Sequence, residues 1–325
     1  MFKQPAFLWY GLLLITFCSV CLGAVVWKSW PDSYVHLVFC DVGQGDATLI
    51  SYRFTQVLID AGVDNKVKNC LEENMPFWDR TLELVVATHA DADHIGGIDD
   101  VLDAYKVNKF WLTNQVKTTN EFVSFRSKIT SEVQRESMRV ETPFLGHQAR
   151  LNPYTALTVV SPQVEGAEVS SVDHFRKLFS PDFPEAQLLD VLKKQLGDEE
   201  RYNDGSIVFL LTIKNIKVLL TADLEMVGEE ALQSTGMTTD IDILKVGHHG
   251  SKTSSTPAFL EQIRPENSII SCGQNNRYGH PHQSILENLE AIGSVTWRTD
   301  QQGEVEVISD GEKYWIETQR SQSDT

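Results

Sequence analysis

Basic charge is what this chain has least of for its size. Lys and Arg number 28 against 45 Asp and Glu, a formal net charge of −17. Non-specific affinity for nucleic acid comes from neutralising phosphates, so a generally acidic surface is a poor polyanion binder. A phosphodiester substrate would have to be held by metal ions and by local basic groups. Cysteine is also scarce, with five in 325 residues. Cys18 and Cys21 lie in an apolar segment, and no Cys-x-x-Cys occurs outside it, which argues against thiolate zinc sites. Cys40 and Cys272 fall in strand-like runs and read as small core residues. One apolar run alone is long enough to cross a bilayer, so this chain by itself is not expected to form a polytopic channel.

That run carries no charge between Lys3 and Lys28. At 1.5 Å of rise per residue, Ala6 to Trp27 reaches across a hydrocarbon core of roughly 30 Å. Trp9, Tyr10, Trp27 and Trp30 stand towards its ends, as interfacial aromatics tend to. A cleaved signal peptide is the competing reading, with an apolar region of about 7–15 residues and a small-x-small cleavage site. Leu22-Gly23-Ala24 matches that pattern weakly, so residues 1–30 read as an uncleaved anchor and 31–325 as the domain it carries. The expected location is membrane-anchored with the domain outside the cytoplasm, or secreted if the segment is cleaved. Apolar content of 42 % is ample for a core in the remainder.

The most informative stretch follows Val85-Val86-Ala87. Thr88-His89-Ala90-Asp91-Ala92-Asp93-His94 puts two His and two Asp in a short turn, and Ile95-Gly96-Gly97 follows at once. A strand fixes such a turn, so that ligands on both sides of it can converge. Imidazole nitrogen and carboxylate oxygen both bind divalent first-row metals. The spacing serves two ions, His89 with Asp91 and Asp93 with His94. The pattern resembles the metallo-β-lactamase superfamily motif His-x-His-x-Asp-His, with Asp91 where the second His would usually stand. That variant is similar to the hydrolase domain of ComEC-type DNA-uptake proteins.

Other runs carry the same resemblance in the same order. Asp41-Val42-Gly43-Gln44-Gly45-Asp46-Ala47 is a turn between β runs, with Gln44 and Asp46 as candidate pocket-rim groups. Tyr34–Val42, Ala47–Ser51 and Val57–Gly62 read as an antiparallel meander. The resemblance makes Asp60 a carboxylate behind the ligands that orients a ligating His. Helices are expected at Asn65–Met75, Ile98–Tyr105 and, from Phe122, Phe125, Ile129 and Val133, at Thr119–Met138. Residues 163–202, with Pro181 and Pro184, read as an insertion or lid. His147 and His174 have no neighbouring ligands and read as surface or capping residues. After the hairpin Ile207–Thr221, the resemblance makes Asp223 the bridging ligand, whose two oxygens span ions about 3.5–4 Å apart. The usual third-motif His is not visible, and Asn203 and Ser206 stand near its place. Strand Ile241–Val246 leads to Gly247-His248-His249-Gly250, where His248 is the better candidate ligand and His249 the second. Ser251, Lys252 and the hydroxyls up to Ser255, ahead of Pro257, suit a phosphate at a helix start. Arg277 and His280, in Asn275-Asn276-Arg277-Tyr278-Gly279-His280-Pro281, can contact a phosphate oxygen or protonate a leaving alkoxide.

The resemblance covers roughly Val35 to Glu317 and implies an α/β, four-layer αββα sandwich preceded by the N-terminal helix. It implies phosphodiesterase or nuclease hydrolysis by a dinuclear Zn²⁺ or Mn²⁺ centre with a bridging hydroxide. Its metal ligands would be His89, Asp91, Asp93, His94, Asp223 and His248. Asp93, His280 and His249 would be catalytic, and Ser251, Lys252 and Arg277 would bind substrate. Partners would be a phosphodiester, DNA among the candidates, or a small phosphoester, and the membrane. A hydrolase of a small phosphoester, lactone or lactam stays open, as does a non-catalytic membrane-tethered module. A basic strip from Lys245, Lys252, Arg264 and Arg277 would favour a nucleic-acid substrate.

Overall fold

The computed structural model describes residues 6–113, 115, 117, 119–135, 137–162 and 202–320. The lid expected at 163–202, and His174 within it, lie outside these residues except for Tyr202. Helix α1 (Ala6–Lys28) comes first; from Trp9 to Lys28 it is long and apolar enough to cross a membrane, with mean hydropathy 2.1 and no part of it buried.

The strands follow in chain order as β1 (Val35–Phe39), β2 (Thr48–Tyr52), β3 (Thr55–Ile59), β4 (Thr81–Leu82), β5 (Leu84–Ala87), β6 (Lys106–Val107), β7 (Lys109–Leu112), β8 (Arg139–Glu141), β9 (Gln148–Asn152), β10 (Thr155–Ser161), β11 (Val208–Ile213), β12 (Ile216–Leu220), β13 (Ile243–Lys245), β14 (Asn267–Ile270), β15 (Val295–Arg298), β16 (Val305–Ser309) and β17 (Tyr314–Thr318). Among the described residues, eight form one large sheet in the order β17-β16-β1-β2-β3-β5-β7-β8, seven form a second, β15-β14-β13-β12-β11-β10-β9, and β4 and β6 pair by themselves. The expected meander β1-β2-β3 is antiparallel, after which β5, β7 and β8 add in parallel. In the second sheet β9 to β12 are antiparallel and β12 to β15 parallel. The chain's last two strands cross back to pair beside β1 in the first sheet.

Alternation along the strands builds the layers, because successive side chains point to opposite faces. On β1, Val35, Leu37 and Phe39 face the second sheet, where they meet Leu157, Phe209, Leu211 and Val218, while Val38 points the other way. The outer face of the first sheet (Val38, Leu49, Leu58, Val85, Phe110) packs on Val67 and Leu71 of α2 (Lys66–Asn74), Val101 of α4 (Ile98–Ala104), which follows α3 (Ala92–Ile95), and Phe122, Phe125 and Ile129 of α5 (Asn120–Gln134). Thr119 starts α5 by accepting from the Phe122 amide. The outer face of the second sheet (Leu219, Leu244, Ile270) packs on Leu232, Phe259, Leu260, Ile285 and Leu289 from the helices Met226–Ser234, Pro257–Ile263 and Gln283–Ala291. Helix, sheet, sheet, helix is the expected order of layers, held by fully buried side chains worth about 1.5–3 kcal/mol each.

One correction concerns Cys40. It is bonded to Cys70 of α2, so it is half of a covalent tie between the end of β1 and the helix layer rather than a simple core residue; Cys272 is free and buried, as expected. His147, expected at the surface, stacks on Phe144 at 4.8 Å and lies 4.6 Å from the Trp111 ring.

His36 on β1 links the sheet edge to the linker, with Nδ1 2.7 Å from Glu306 of β16 and Nε2 3.0 Å from Asp32. Burial alone would lower its pKa, but the two carboxylates override that and raise it to about 8. A raised folded-state pKa stabilises fully below about 6.5 and is lost as pH rises through about 8. With Asp32 half exposed, screening leaves about 1 kcal/mol. Chemical denaturation across that interval should therefore show the wild type losing about 1 kcal/mol that His36→Ala does not lose; parallel curves would refute the pairing.

Candidate metal centre

The residues that matter stand at one end of both sheets. β3 ends into Asp60, β5 into Thr88 and His89, β12 into Asp223, and β13 into the turn Gly247–Gly250. Several tight main-chain contacts assemble this end. The Asp46 amide donates to the Asp93 carbonyl (3.1 Å), the Gly62 amide to the Asp46 carbonyl (2.8 Å) and the Ala61 amide to the His94 carbonyl (2.8 Å). A Cβ on Gly45 would collide with the Asp93 carbonyl, and one on Gly97 with that of Ala61. Only glycine allows these backbones so close.

Asp223, buried at the bottom, organises the cluster. Its Oδ2 lies 3.8 Å from His89 Nε2 and 3.7 Å from His248 Nε2. Its Oδ1 lies 3.2 Å from His94 Nε2 and 3.7 Å from His249 Nε2. Asp91 joins the first group, 3.8 Å from His89 Nε2, and Asp93 the second, 3.3 Å from His249 Nε2. The six expected metal ligands are thus brought together, with His249 as a seventh member. Sequence reasoning ranked His248 above His249 because the resemblance places its late ligand at the His that follows a strand and a Gly. Here both residues adopt left-handed backbone, with φ of 47° and 55°, and both rings turn towards Asp223. Such strain costs of order 1–3 kcal/mol per residue and marks functional turns.

Each ring is fixed from behind at Nδ1. His89 bonds Thr88 Oγ1 (3.1 Å), His94 bonds Asp60 (2.7 Å), His248 bonds Glu225 (3.0 Å) and His249 bonds the Ser271 carbonyl (2.9 Å). Because Thr88 Oγ1 donates to Asp60 and the Ser271 carbonyl can only accept, the Nδ1 atoms of His89 and His249 carry the protons. The lone pairs at Nε2 are left facing the cavity. Asp60 accepts in addition from the Thr88 amide (2.8 Å), which suits the orienting role expected of it.

The donor set fits cations. His89 Nε2, His94 Nε2, His249 Nε2 and Asp223 Oδ1 are buried without hydrogen-bond partners. Asp46, His94, Asp223 and His249 each offer a ligand atom within 4.8 Å of the others. Burial works against the charged form of each group here. Neighbouring charges override it, raising His94 well above the ordinary imidazole value and His249 to about 10, and lowering Asp93 to about 2. His89 goes the other way, since burial and His94 depress it. Carboxylates around Nε2 demand positive charge, which a proton or a divalent cation can supply.

Several expectations change. Asp46 is not at the rim: it is buried and ion-paired with buried Lys245. It approaches His94 (4.0 Å) and His249 (3.5 Å) from their Nδ1 sides, so it supports the rings from behind. Burial would raise its carboxyl, but Lys245 and the imidazoles hold it well below its ordinary value. Lys245 is therefore lost to the basic strip, and Arg264 is spent on Glu261. His249 is buried with its Nδ1 occupied, which suits a ligand better than a leaving-group acid. The helix start after Ser255 is already filled, because Glu229 accepts from the Ser255 and Thr256 amides and the Thr256 hydroxyl. Ser251 bonds Thr253 (2.9 Å), and Lys252 is exposed. Arg277 is exposed, with its guanidinium on the Tyr278 hydroxyl. His280 stands at the mouth, 5.7 Å from the His248 ring and 6.3 Å from the His249 ring. Burial, then His249, His248 and His282, push it down to about 4, so at neutral pH it is a neutral ring.

Asn203 contacts Glu225 (3.5 Å) rather than the cluster, and Ser206 is buried with its hydroxyl unbonded. Glu225 and Lys117 were missed. Glu225 holds His248 and the Thr253 hydroxyl, and Lys117 pairs with Asp91 while lying 4.0 Å from the Tyr202 ring. Neither stands in a motif, so nothing in their local sequence marks them.

The model of the Metallo-beta-lactamase superfamily matches residues 40–274. The chain is 28% identical over 284 residues to the ComE operon protein 3 of Bacillus subtilis, covering 82% of this chain and 32% of that protein. It is 28% identical over 302 residues to Recombination protein 2 of Haemophilus influenzae, covering 92% and 31%. It spans about a third of the length of these relatives. Among solved structures, the metallo-beta-lactamase fold protein YhfI of Bacillus subtilis aligns with TM-score 0.48 at 10% identity, covering 87% of this chain and 100% of that one.

Removing the carboxylate behind His94 provides a test that needs no substrate. Asp60→Ala should weaken zinc or manganese binding about 10- to 100-fold by equilibrium dialysis. Unchanged affinity would mean that His94 needs no such partner.

Proposed function

The chain belongs to the metallo-β-lactamase superfamily, and from that premise we propose that it is a phosphodiester hydrolase working with two divalent cations. The reading rests chiefly on one observation, the division of four imidazoles between the two oxygens of Asp223, with Asp91 beside His89 and Asp93 beside His249. His89, Asp91 and His248 would hold one ion and Asp93, His94 and His249 the other, with Asp223 shared. Asp91 in place of the usual His makes the donor set harder, so Mn²⁺ competes with Zn²⁺. Ions held there would supply Lewis acidity towards a phosphoryl oxygen and would lower the pKa of water to about 7.

The chain's own groups do the rest. Asp93, with a quarter of its side chain exposed, orients the attacking water and takes its proton. Arg277 offers its fork to a non-bridging oxygen, with Lys252 and Ser251 as further contacts. His280, neutral at the mouth, hydrogen-bonds the departing oxygen. The names of the matched relatives, a ComE operon protein and a recombination protein, bring DNA forward as the substrate class. A small phosphoester is the second reading, favoured by the net charge of −17 and by the loss of Lys245 and Arg264 from the basic strip.

The decisive assay gives the full chain Mn²⁺ or Zn²⁺ with single-stranded DNA and with a chromogenic phosphodiester. Turnover should fall by about 10²–10⁴ in Asp93→Ala. Turnover that survives that change would sink the mechanism, and turnover of the small diester alone would select the second reading.

We place the domain outside the cytoplasm, because a disulfide such as Cys40–Cys70 persists in oxidising compartments. Cells lysed directly into denaturant and alkylating reagent should yield Cys40 and Cys70 unmodified until a reductant is added. Prompt alkylation of both would place the domain in a reducing compartment.

A further inference from the structure

The end of the domain opposite the metal cluster carries a group of aromatic side chains that its fold does not bury. Trp30 is 59% exposed, Phe77 50% and Phe54 42%. They are packed on one another through Trp78, with Trp30 edge-on to Phe54 at 5.4 Å, Trp30 against Trp78 at 6.2 Å and Phe77 edge-on to Trp78 at 4.7 Å. They come from three places in the chain: the segment after α1, the β2–β3 turn, and the loop between α2 and β4.

Trp30 is fixed to α1. The Ser29 amide bonds the Val25 carbonyl and the Trp30 amide that of Trp27, each at 3.1 Å, so the helical turn carries on to Trp30. Two residues cannot separate Trp30 from Lys28 by more than about 7 Å. If α1 crosses a bilayer, its last turn lies at the hydrocarbon boundary, and the aromatic group must then lie in the headgroup layer. Amphipathic rings favour that layer. The adjoining cleft, of about 550 Å³, mixes Lys28 and Arg53 with Glu72 and Glu73, a lining that suits a zwitterionic headgroup.

We infer that the face formed by Trp30, Phe54, Phe77 and Trp78 seats on the phospholipid interface and points the metal cluster away from the membrane. The strands set the distance. Phe54 precedes β3 and Asp60 follows it, so the six steps between them put the cluster up to roughly 20 Å farther from the bilayer. The cluster end of the domain then faces the bulk phase, where a soluble substrate arrives, and not the lipid. This rests on reading α1 as an uncleaved anchor.

The test uses the full chain in phosphatidylcholine vesicles, in a Cys18→Ser, Cys21→Ser background, with one fluorescent label at a time on Phe54→Cys, Phe77→Cys or Tyr278→Cys. Spin-labelled lipid with its nitroxide near the headgroup should remove most of the emission at positions 54 and 77 and leave that at 278 intact. Protein that floats with the vesicles but shows equal, weak quenching at all three positions overturns the inference and leaves the anchor standing. Protein that does not float overturns both. Strong quenching at 278 alone would mean that the domain sits the other way up. Zinc binding by each variant, unchanged from wild type, checks that the labels report on a folded domain.

Discussion

Four imidazoles share one carboxylate, and most of the domain exists to make that tolerable. Asp223 is buried, so its charge cannot be screened by water, and the facing Nε2 lone pairs would repel its oxygens. Positive charge between them, from a proton or a divalent cation, would turn that repulsion into attraction. The requirement reaches outward. Each ring must keep its proton at Nδ1, which needs Thr88, Asp60, Glu225 and the Ser271 carbonyl where they are. Those groups sit at the ends of β3, β5 and β14 and beside β12, so the sheets must bring the same ends together.

Lys245 shows how far the constraint extends. A buried ammonium is costly, and a buried ion pair is weak evidence of stability in itself. Here the pair with Asp46 places one negative charge behind His94 and His249 without adding net charge to an already acidic site. Glu229 plays a comparable part for the turn carrying His248 and His249. It caps the Ser255–Thr256 segment and thereby anchors the chain just beyond the two left-handed residues. A helix start that looked open to phosphate is consumed in holding the turn that carries His248 and His249.

What could be read in the sequence follows from how local each requirement is. His89 to His94 lie in one turn, and their spacing pointed to the cluster that the fold assembles there. Asp223 and His248 each follow a recognisable buried strand. The layers were legible because strand alternation and the spacing of Phe122, Phe125 and Ile129 are local signals. The pairing of Asp46 with Lys245 joins residues 199 apart, and Cys40 reaches Cys70 across a helix layer. No local pattern encodes either. Charge misled for a related reason: Lys245 and Arg264 count as basic in the sequence, yet neither is free in the fold.

The acidic surface and the anchor then bear on each other. A chain with net charge −17 has little long-range attraction for a polyanion, so capture from solution would be slow and salt-sensitive. Tethering as proposed would change the balance, because a site held at a fixed height above a membrane would meet a strand delivered there at high effective concentration. Weak intrinsic affinity would then be no obstacle, and an acidic exterior would limit binding of bystander nucleic acid. On the proposed reading the anchor and the aromatic seat would supply position, and the cluster around Asp223 would be left to supply only chemistry.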